Sequence, residues 1–149
     1  MKFIFPLLLS ISLLSCSSDK KERINQSDKC YNDNTVKYKY DSLTFWFIED
    51  YENLDLKNVK IYKINNGKKG LLPHSTRIGK SELKIENPLS LKSADTIKIV
   101  FENNKQLNLY DFKNTPDYGG KIFLGCSFGR YKLNEEQIEV MDGNILRIY

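Results

Sequence analysis

Histidine is almost missing from this chain. His74 is the single one among 149 residues, and any Ser-His-Asp or Cys-His relay would have to use it as the base. It stands in Leu71-Leu72-Pro73-His74-Ser75-Thr76-Arg77, a loop without a nucleophile elbow. It therefore reads as a loop histidine whose one functional use would be a ligand contact. Cysteine is scarce too. Cys16, Cys30 and Cys126 form no CxxC and no Cys/His spacing, which excludes a zinc site or a thioredoxin-like centre and leaves no metal and no cofactor to expect. Charge of one sign is also lacking. The 23 Lys and Arg against 19 Asp and Glu give a net +4, scattered along the chain, whereas nucleic-acid binding needs a basic face. No window of about 11 residues carries a helical stripe. No apolar run reaches the roughly 20 residues that a membrane-crossing helix needs.

The longest apolar run stands at the start. Met1-Lys2 is followed by Phe3-Ile4-Phe5-Pro6-Leu7-Leu8-Leu9-Ser10-Ile11-Ser12-Leu13-Leu14 and then by Ser15-Cys16. A basic start, an apolar core of about 7–15 residues and a small residue before the cut make an export signal. Leu13-Leu14-Ser15-Cys16 resembles the lipobox of bacterial lipoproteins. The resemblance implies cleavage after Ser15, a diacylglyceryl group on the Cys16 sulfur and an acylated amino terminus (palmitate). In proteobacterial lipoproteins an aspartate at the position of Ser17 favours inner-membrane retention, and serine does not. Ser18-Asp19-Lys20-Lys21-Glu22 resembles the charged tether of surface lipoproteins of the Bacteroidota. The implied address is the cell envelope, lipid-anchored at the outer membrane, on its periplasmic face or at the cell surface. One acyl chain binds a bilayer only marginally, at about 0.8 kcal/mol per buried CH₂, but two or three chains on one residue hold for long times. The chain then divides into a signal peptide over 1–15, a lipidated cysteine with a flexible tether over 16–29, and one β domain over 30–149.

Alternation governs the remainder. Thr35 to Tyr40 puts Val36, Tyr38 and Tyr40 on one face. Leu43, Phe45 and Phe47 alternate with Thr44, Trp46 and Ile48, which predicts a central strand covered on both sides. Further strands are expected over Val59 to Ile64, closed by Asn65-Asn66-Gly67, and around Leu83 and Ile85. Thr96 to Phe101 and Gln106 to Phe112 predict a hairpin about Asn103-Asn104-Lys105, with Phe101 opposite Leu107 and Ile99 opposite Leu109, because register follows the apolar face. Lys121 to Phe128 is a strand with Ile122, Leu124, Cys126 and Phe128 in step, continued by Tyr131 to Leu133. Asn134 to Gln137 would form one helical turn. Ile138 to Met141 and Ile145 to Tyr149 would flank a turn at Asp142-Gly143. The fold class is all-β, an antiparallel sandwich or small barrel of about 8–9 short strands. Cys30 and Cys126, left over once Cys16 takes lipid, are expected as a disulfide or, for Cys126, as a buried free thiol. A bridge would contribute roughly 4 kcal/mol by chain entropy.

Chemistry-bearing patterns are few. Gly79-Lys80-Ser81 resembles the end of a P-loop, but His74 stands where that loop needs its first glycine and no helix follows. Glu49-Asp50-Tyr51-Glu52-Asn53-Leu54-Asp55 is the densest acidic patch, without the spacing or glycine of a calcium loop. Asp41-Ser42-Leu43 and Asp95-Thr96-Ile97 resemble the short Asp-Ser/Thr-aliphatic O-glycosylation pattern of the Bacteroidota. Tyrosine is plentiful, and aromatics anchor interfaces. Trp46, Tyr51, Tyr62, His74 and Tyr118 are the candidate binding surface, with Tyr31 and Tyr131 as further aromatics. The expected protein is not an enzyme. Its partners are the bilayer, through acylated Cys16, and an envelope protein, as an accessory subunit or an immunity-type inhibitor. The alternatives are a carbohydrate- or small-ligand-binding lipoprotein, marked by aromatics along one sheet face, and a carboxylate-based hydrolase, marked by two carboxylates in a cleft.

Overall fold

Leu43, Phe45 and Phe47 share one face of β1 (Ser42–Phe47), and all three are buried. This is the period-two rule of a strand with one covered face. The computed structural model describes residues 20–48, 55–77, 81–86, 90–141 and 143–149. The expected signal 1–15, Cys16, Tyr51 with most of the acidic patch, Gly79-Lys80 and Asp142 lie outside the described residues.

Ten strands are present among the described residues. After β1 come β2 (Lys60–Asn65), β3 (Lys68–Leu72), β4 (Ser75–Arg77), β5 (Glu82–Glu86) and β6 (Thr96–Val100). Then follow β7 (Gln106–Gly119), β8 (Ile122–Leu133), β9 (Glu136–Glu139) and β10 (Ile145–Ile148). They form a four-stranded sheet, β10-β1-β5-β4, and a six-stranded sheet, β3-β2-β6-β7-β8-β9, with no closed barrel. The fold is an all-β sandwich. Every pairing is antiparallel except β1 with β10. Phe45, Leu83, Ile85, Leu146 and Ile148 from the smaller sheet and Ile61, Ile97, Ile99, Leu107 and Leu109 from the larger enter one buried cluster. Each such side chain contributes about 1.5–3 kcal/mol by leaving water. Tyr131 of β8 is fully buried. Its hydroxyl donates to the Arg147 carbonyl of β10, so one polar contact ties the two layers. Burial drives its pKa well above that of a free tyrosine.

Turn chemistry sets several pairings. Asn66 and Gly67 both take positive φ (47° and 76°), the two-residue turn whose twist matches a hairpin, and glycine tolerates it without strain. Asn134 and Glu135 do the same at 47° and 78°. The helical turn expected over Asn134 to Gln137 is therefore the β8–β9 hairpin, with Leu133 opposite Glu136. The β6–β7 loop has three residues, 102–104, with Asn104 at φ 63° and Phe101 bonded to Lys105. That sets Ile99 opposite Leu107 and Ile97 opposite Leu109, not Phe101 opposite Leu107. The expected register is off by two residues, a shift that leaves the buried face unchanged.

Other departures have physical causes. Residues 35–40 form no strand, only a bridge from Thr35 to Lys92. Two of their backbone groups go to a side chain instead: buried Asn114 accepts from Lys37 N–H at 2.9 Å and donates to the Thr35 carbonyl at 2.8 Å, while Val36 N–H and the Lys37 carbonyl bond singly to Leu91 and Phe128 backbone. The strands on either side of the expected Asp142-Gly143 turn belong to different sheets, since β9 pairs with β8 and β10 with β1, and among the described residues a bridge of Met141 with Ile145 is all that resembles a hairpin. β1 is central, but its second face is open, with Trp46 at 39 % exposure. The described part of the expected tether is a helix, α1, over residues 20–31. Its period is hidden because the face it turns to the arm carries exposed Arg23 and half-buried Gln26 and Ser27 beside buried Cys30, and so shows no apolar stripe.

β7 and β8 run past the rest of their sheet. β6 pairs with β7 only from Gln106 to Leu109, while β8 follows β7 to Gly119. The outer half, here the arm, is thus an edge, where Pro116 costs no ladder bond. α1 lies along it. Arg23 sits 5.7 Å from the Tyr118 ring, the Tyr118 hydroxyl donates to Gln26 Oε1 at 3.4 Å, and Cys30 is bonded to Cys126 with Cα atoms 5.4 Å apart.

Candidate functional site

Register places one continuous surface on the outer face of the six-stranded sheet. Tyr62 of β2 stands between Leu71 of β3 and Lys98 of β6, and Lys98 beside Asn108 of β7. Lys60 pairs with Val100, and Tyr110 with Lys132. These positions alternate with buried Ile61, Ile97, Ile99, Leu107 and Leu109, so they face outward. Lys69 Nζ lies 3.6 Å from the Tyr62 ring centre, a cation–π contact. Lys132 pairs with Asp111 at 3.7 Å, while Lys60 and Lys98 enter no ion pair among the described residues. Partial burial, then the Glu135 carboxylate that shares its hydrogen bond, push the Tyr110 hydroxyl pKa up. The face combines four lysines with tyrosines and an exposed leucine, on strands held rigid by the core beneath.

The predicted aromatic surface is not assembled in one place. Trp46 lies on the outer face of the other sheet, between Arg147 and Glu82 in register. Tyr62 belongs to the lysine-bearing face just described. His74 sits half-buried between β3 and β4, Nδ1 3.3 Å from the Leu72 carbonyl. Tyr118 is packed edge-on against Phe123 at 5.7 Å and under Arg23, and so holds α1. Tyr131 is buried and ties the layers. Tyr51 lies outside the described residues. The pattern failed because strand alternation gives faces, while which faces coincide depends on sheet order.

Sequence reasoning missed an open groove of about 420 Å³ at the root of the arm. Tyr31, Lys39, Asp117, Arg130, Glu139 and Gly143 are among its lining residues. Arg130 stacks over the Tyr31 ring at 5.4 Å and donates Nη2–H to its hydroxyl at 3.1 Å. Gly129 allows the groove wall to close. A Cβ there would stand 2.0 Å from Thr115 Oγ1. Two basic and two acidic side chains line it, and no nearness along the chain pointed to their meeting.

Asp95 of the glycosylation-like tripeptide is fully buried. It pairs with Lys63 at 3.1 Å and accepts from Lys92 N–H at 2.7 Å and from Asn65. Burial raises its pKa, but the hydrogen bonds from Lys92, Asn65 and Lys63 outweigh it and hold the carboxyl below the usual range. No group of three or more His, Cys, Asp or Glu among the described residues could hold a metal ion. No helix among them is long and apolar enough to cross a membrane.

The geometry defines a β-sandwich with a lysine–tyrosine face and a helix-backed arm. Compared with known protein families, with curated proteins and with solved structures, the chain matches none.

Proposed function

We propose that this protein is a lipid-anchored envelope lipoprotein whose sandwich binds a protein partner through the outer face of the six-stranded sheet. The anchor rests on Leu13-Leu14-Ser15-Cys16 behind its apolar core. The binding reading is carried by one observation: Lys60, Lys69, Lys98 and Lys132 share one face with Tyr62, Tyr110 and Leu71. Such a surface suits an acidic partner, since complementary charge steers encounter and aromatics supply contact area. It suits a glycan less, because sugar binding would want aromatics in a row and the predicted ones are spread over two sheets and the arm. An accessory subunit and an immunity-type inhibitor both fit this face.

Two measurements test the proposal. Cys16→Ser should move the protein out of the membrane fraction, and persistence there would remove the lipid anchor. Lys60→Glu with Lys98→Glu should abolish recovery of a specific envelope protein with the chain, while Trp46→Ala leaves recovery intact. Equal recovery from both variants would remove this face from the reading. A second reading rests on the groove, where Asp117 and Glu139 share one cleft. Paired carboxylates of that kind are the apparatus of glycosidic cleavage. Asp117→Asn and Glu139→Gln should abolish any glycan hydrolysis or binding that the wild type displays.

A further inference from the structure

We infer that the tip of the arm is a membrane-contacting element, which seats Ile122 and Leu124 in the interface of the bilayer that holds the lipid anchor. The inference rests on the proposed lipidation of Cys16 and adds where the domain meets the membrane.

The direction of α1 carries it. Arg23 and Gln26 contact Tyr118, Cys30 is bonded to Cys126, and Tyr31 meets Arg130. In the β7–β8 ladder Tyr118 pairs with Phe123 and Gly119 with Ile122 at the tip, while Pro116 pairs with Cys126 and Lys113 with Arg130 toward the root. The helix therefore runs from tip to root. Glu22, Arg23 and Gln26 line one hollow with Lys121, Ile122 and Phe123. Lys20 lies one turn further out. Cys16 precedes it by four peptide steps, which covalent geometry limits to about 14 Å whatever their conformation. The lipid is thus confined to the neighbourhood of the tip.

The tip has the matching chemistry. Ile122 is 69 % and Leu124 65 % exposed, the two most exposed large apolar side chains among the described residues. They alternate with Phe123, which packs on Tyr118, so they stand on the other side of the ribbon. Leu124 lies against Gly119, where an added Cβ would come within 3.3 Å of it. Arg23 and Lys121, both exposed, line the hollow at Ile122 with Glu22; Lys20 and Lys21 precede Glu22 on α1, and Asp117 stands in register with Gly125, next to Leu124. Exposed apolar side chains with basic residues to one side suit the headgroup boundary of an anionic bilayer, where such elements bury about 5–10 Å deep. A docked protein would also cover leucine and isoleucine, but it would not need the lipid and the patch at one end.

The test uses the full lipidated chain in vesicles of phosphatidylethanolamine and phosphatidylglycerol. Trp46 is the single tryptophan, so Trp46→Phe gives a silent background. Ile122→Trp or, if that variant is unstable, Leu124→Trp reports on the tip. Leu71→Trp, at a position 64 % exposed on the far edge of the six-stranded sheet, is the control. Lipids brominated near the headgroup should quench most of the tip emission and shift it to the blue, and leave the Leu71 variant unaffected. Vesicle-bound protein with an unquenched tip would overturn the inference, as would shielding of the tip that appears only when a protein partner is added. Protein that fails to float with vesicles, and whose mass shows an unmodified Cys16, would remove the anchor itself and this inference with it.

Discussion

In the sandwich body Phe45 and Ile99 are fully buried between two sheets, while in the arm Ile122 and Leu124 are 69 % and 65 % exposed. Both pairs sit on strands with the same alternating pattern. The body has a second layer above each apolar face, and the arm has α1 on one side of its ribbon. The comparison teaches that alternation reports a face and is silent about its cover. In the body the cover is apolar and shared by twenty-odd residues of one cluster. In the arm it is a disulfide, a cation over a ring and one amide contact.

Truncation should separate the two regions most sharply. Phe45→Ala opens a cavity at the centre of the cluster and should cost about 3–5 kcal/mol, as buried aromatics do. Leu124→Ala removes a similar pattern position in the arm, yet should change stability by less than about 0.5 kcal/mol. Urea unfolding with a common slope measures both. A Leu124 variant as unstable as the Phe45 variant would mean that the arm is part of the core.

The disulfide sets the next contrast. Cys30 and Cys126 are 96 residues apart, and the loop they close holds most of the sandwich, although the bond itself sits on the arm. Its effect should therefore be global through the unfolded chain and local in the folded one. Replacing both by serine should cost about 2–4 kcal/mol. Hydrogen exchange should rise over residues 20–31 and stay low over β1 and β6. Loss of protection in both regions together would show that the bond also holds the body in the native state.

Much of this division was legible from residues. The strands around Phe45, Ile61, Leu83, Ile99 and Phe128 follow from alternation, and the all-β sandwich follows from their number and turns. What was hidden is hydrogen bonding by side chains and contact between distant segments. Asn114 takes the Thr35 carbonyl and the Lys37 N–H, and residues 35–37 form no strand. α1 turns a largely polar stripe to the arm, which no apolar period reveals. The lysine-bearing face needed the order β3-β2-β6-β7 before Tyr62, Lys98 and Asn108 became neighbours. The groove needed Tyr31, Lys39, Asp117, Arg130 and Glu139, from separate segments, to meet.

Charge burial in the body gives a third, smaller effect. Asp95 has its pKa held below its ordinary 3.8 in the folded state. A carboxyl depressed on folding stabilises the protein above its unfolded pKa and loses that contribution as pH falls through the folded value. Stability should therefore begin to drop below about pH 3.8. Asp95→Asn should cost about 1–3 kcal/mol at neutral pH, since it removes a charge from Lys63 and weakens a buried network. The variant should also lose part of the acid dependence. An unaltered pH profile would mean that other carboxyls control acid unfolding.

The smallest effect lies in the arm and tests whether its helix is held by more than the bond. Arg23 is exposed and contributes through its position over the Tyr118 ring. A cation–π contact of that kind is worth about 0.5–1 kcal/mol at an exposed site. In the oxidised protein Arg23→Ala should barely move global unfolding, because Cys30 still pins the helix to Cys126. In the serine double variant the same change should matter more, since Arg23 and Gln26 would then be principal contacts of α1 with the tip. The coupling shows as a rise in exchange over residues 20–31 that exceeds the sum of the two separate changes. Strict additivity would mean that ring and bond act independently, with the helix leaving the arm once the bond is lost.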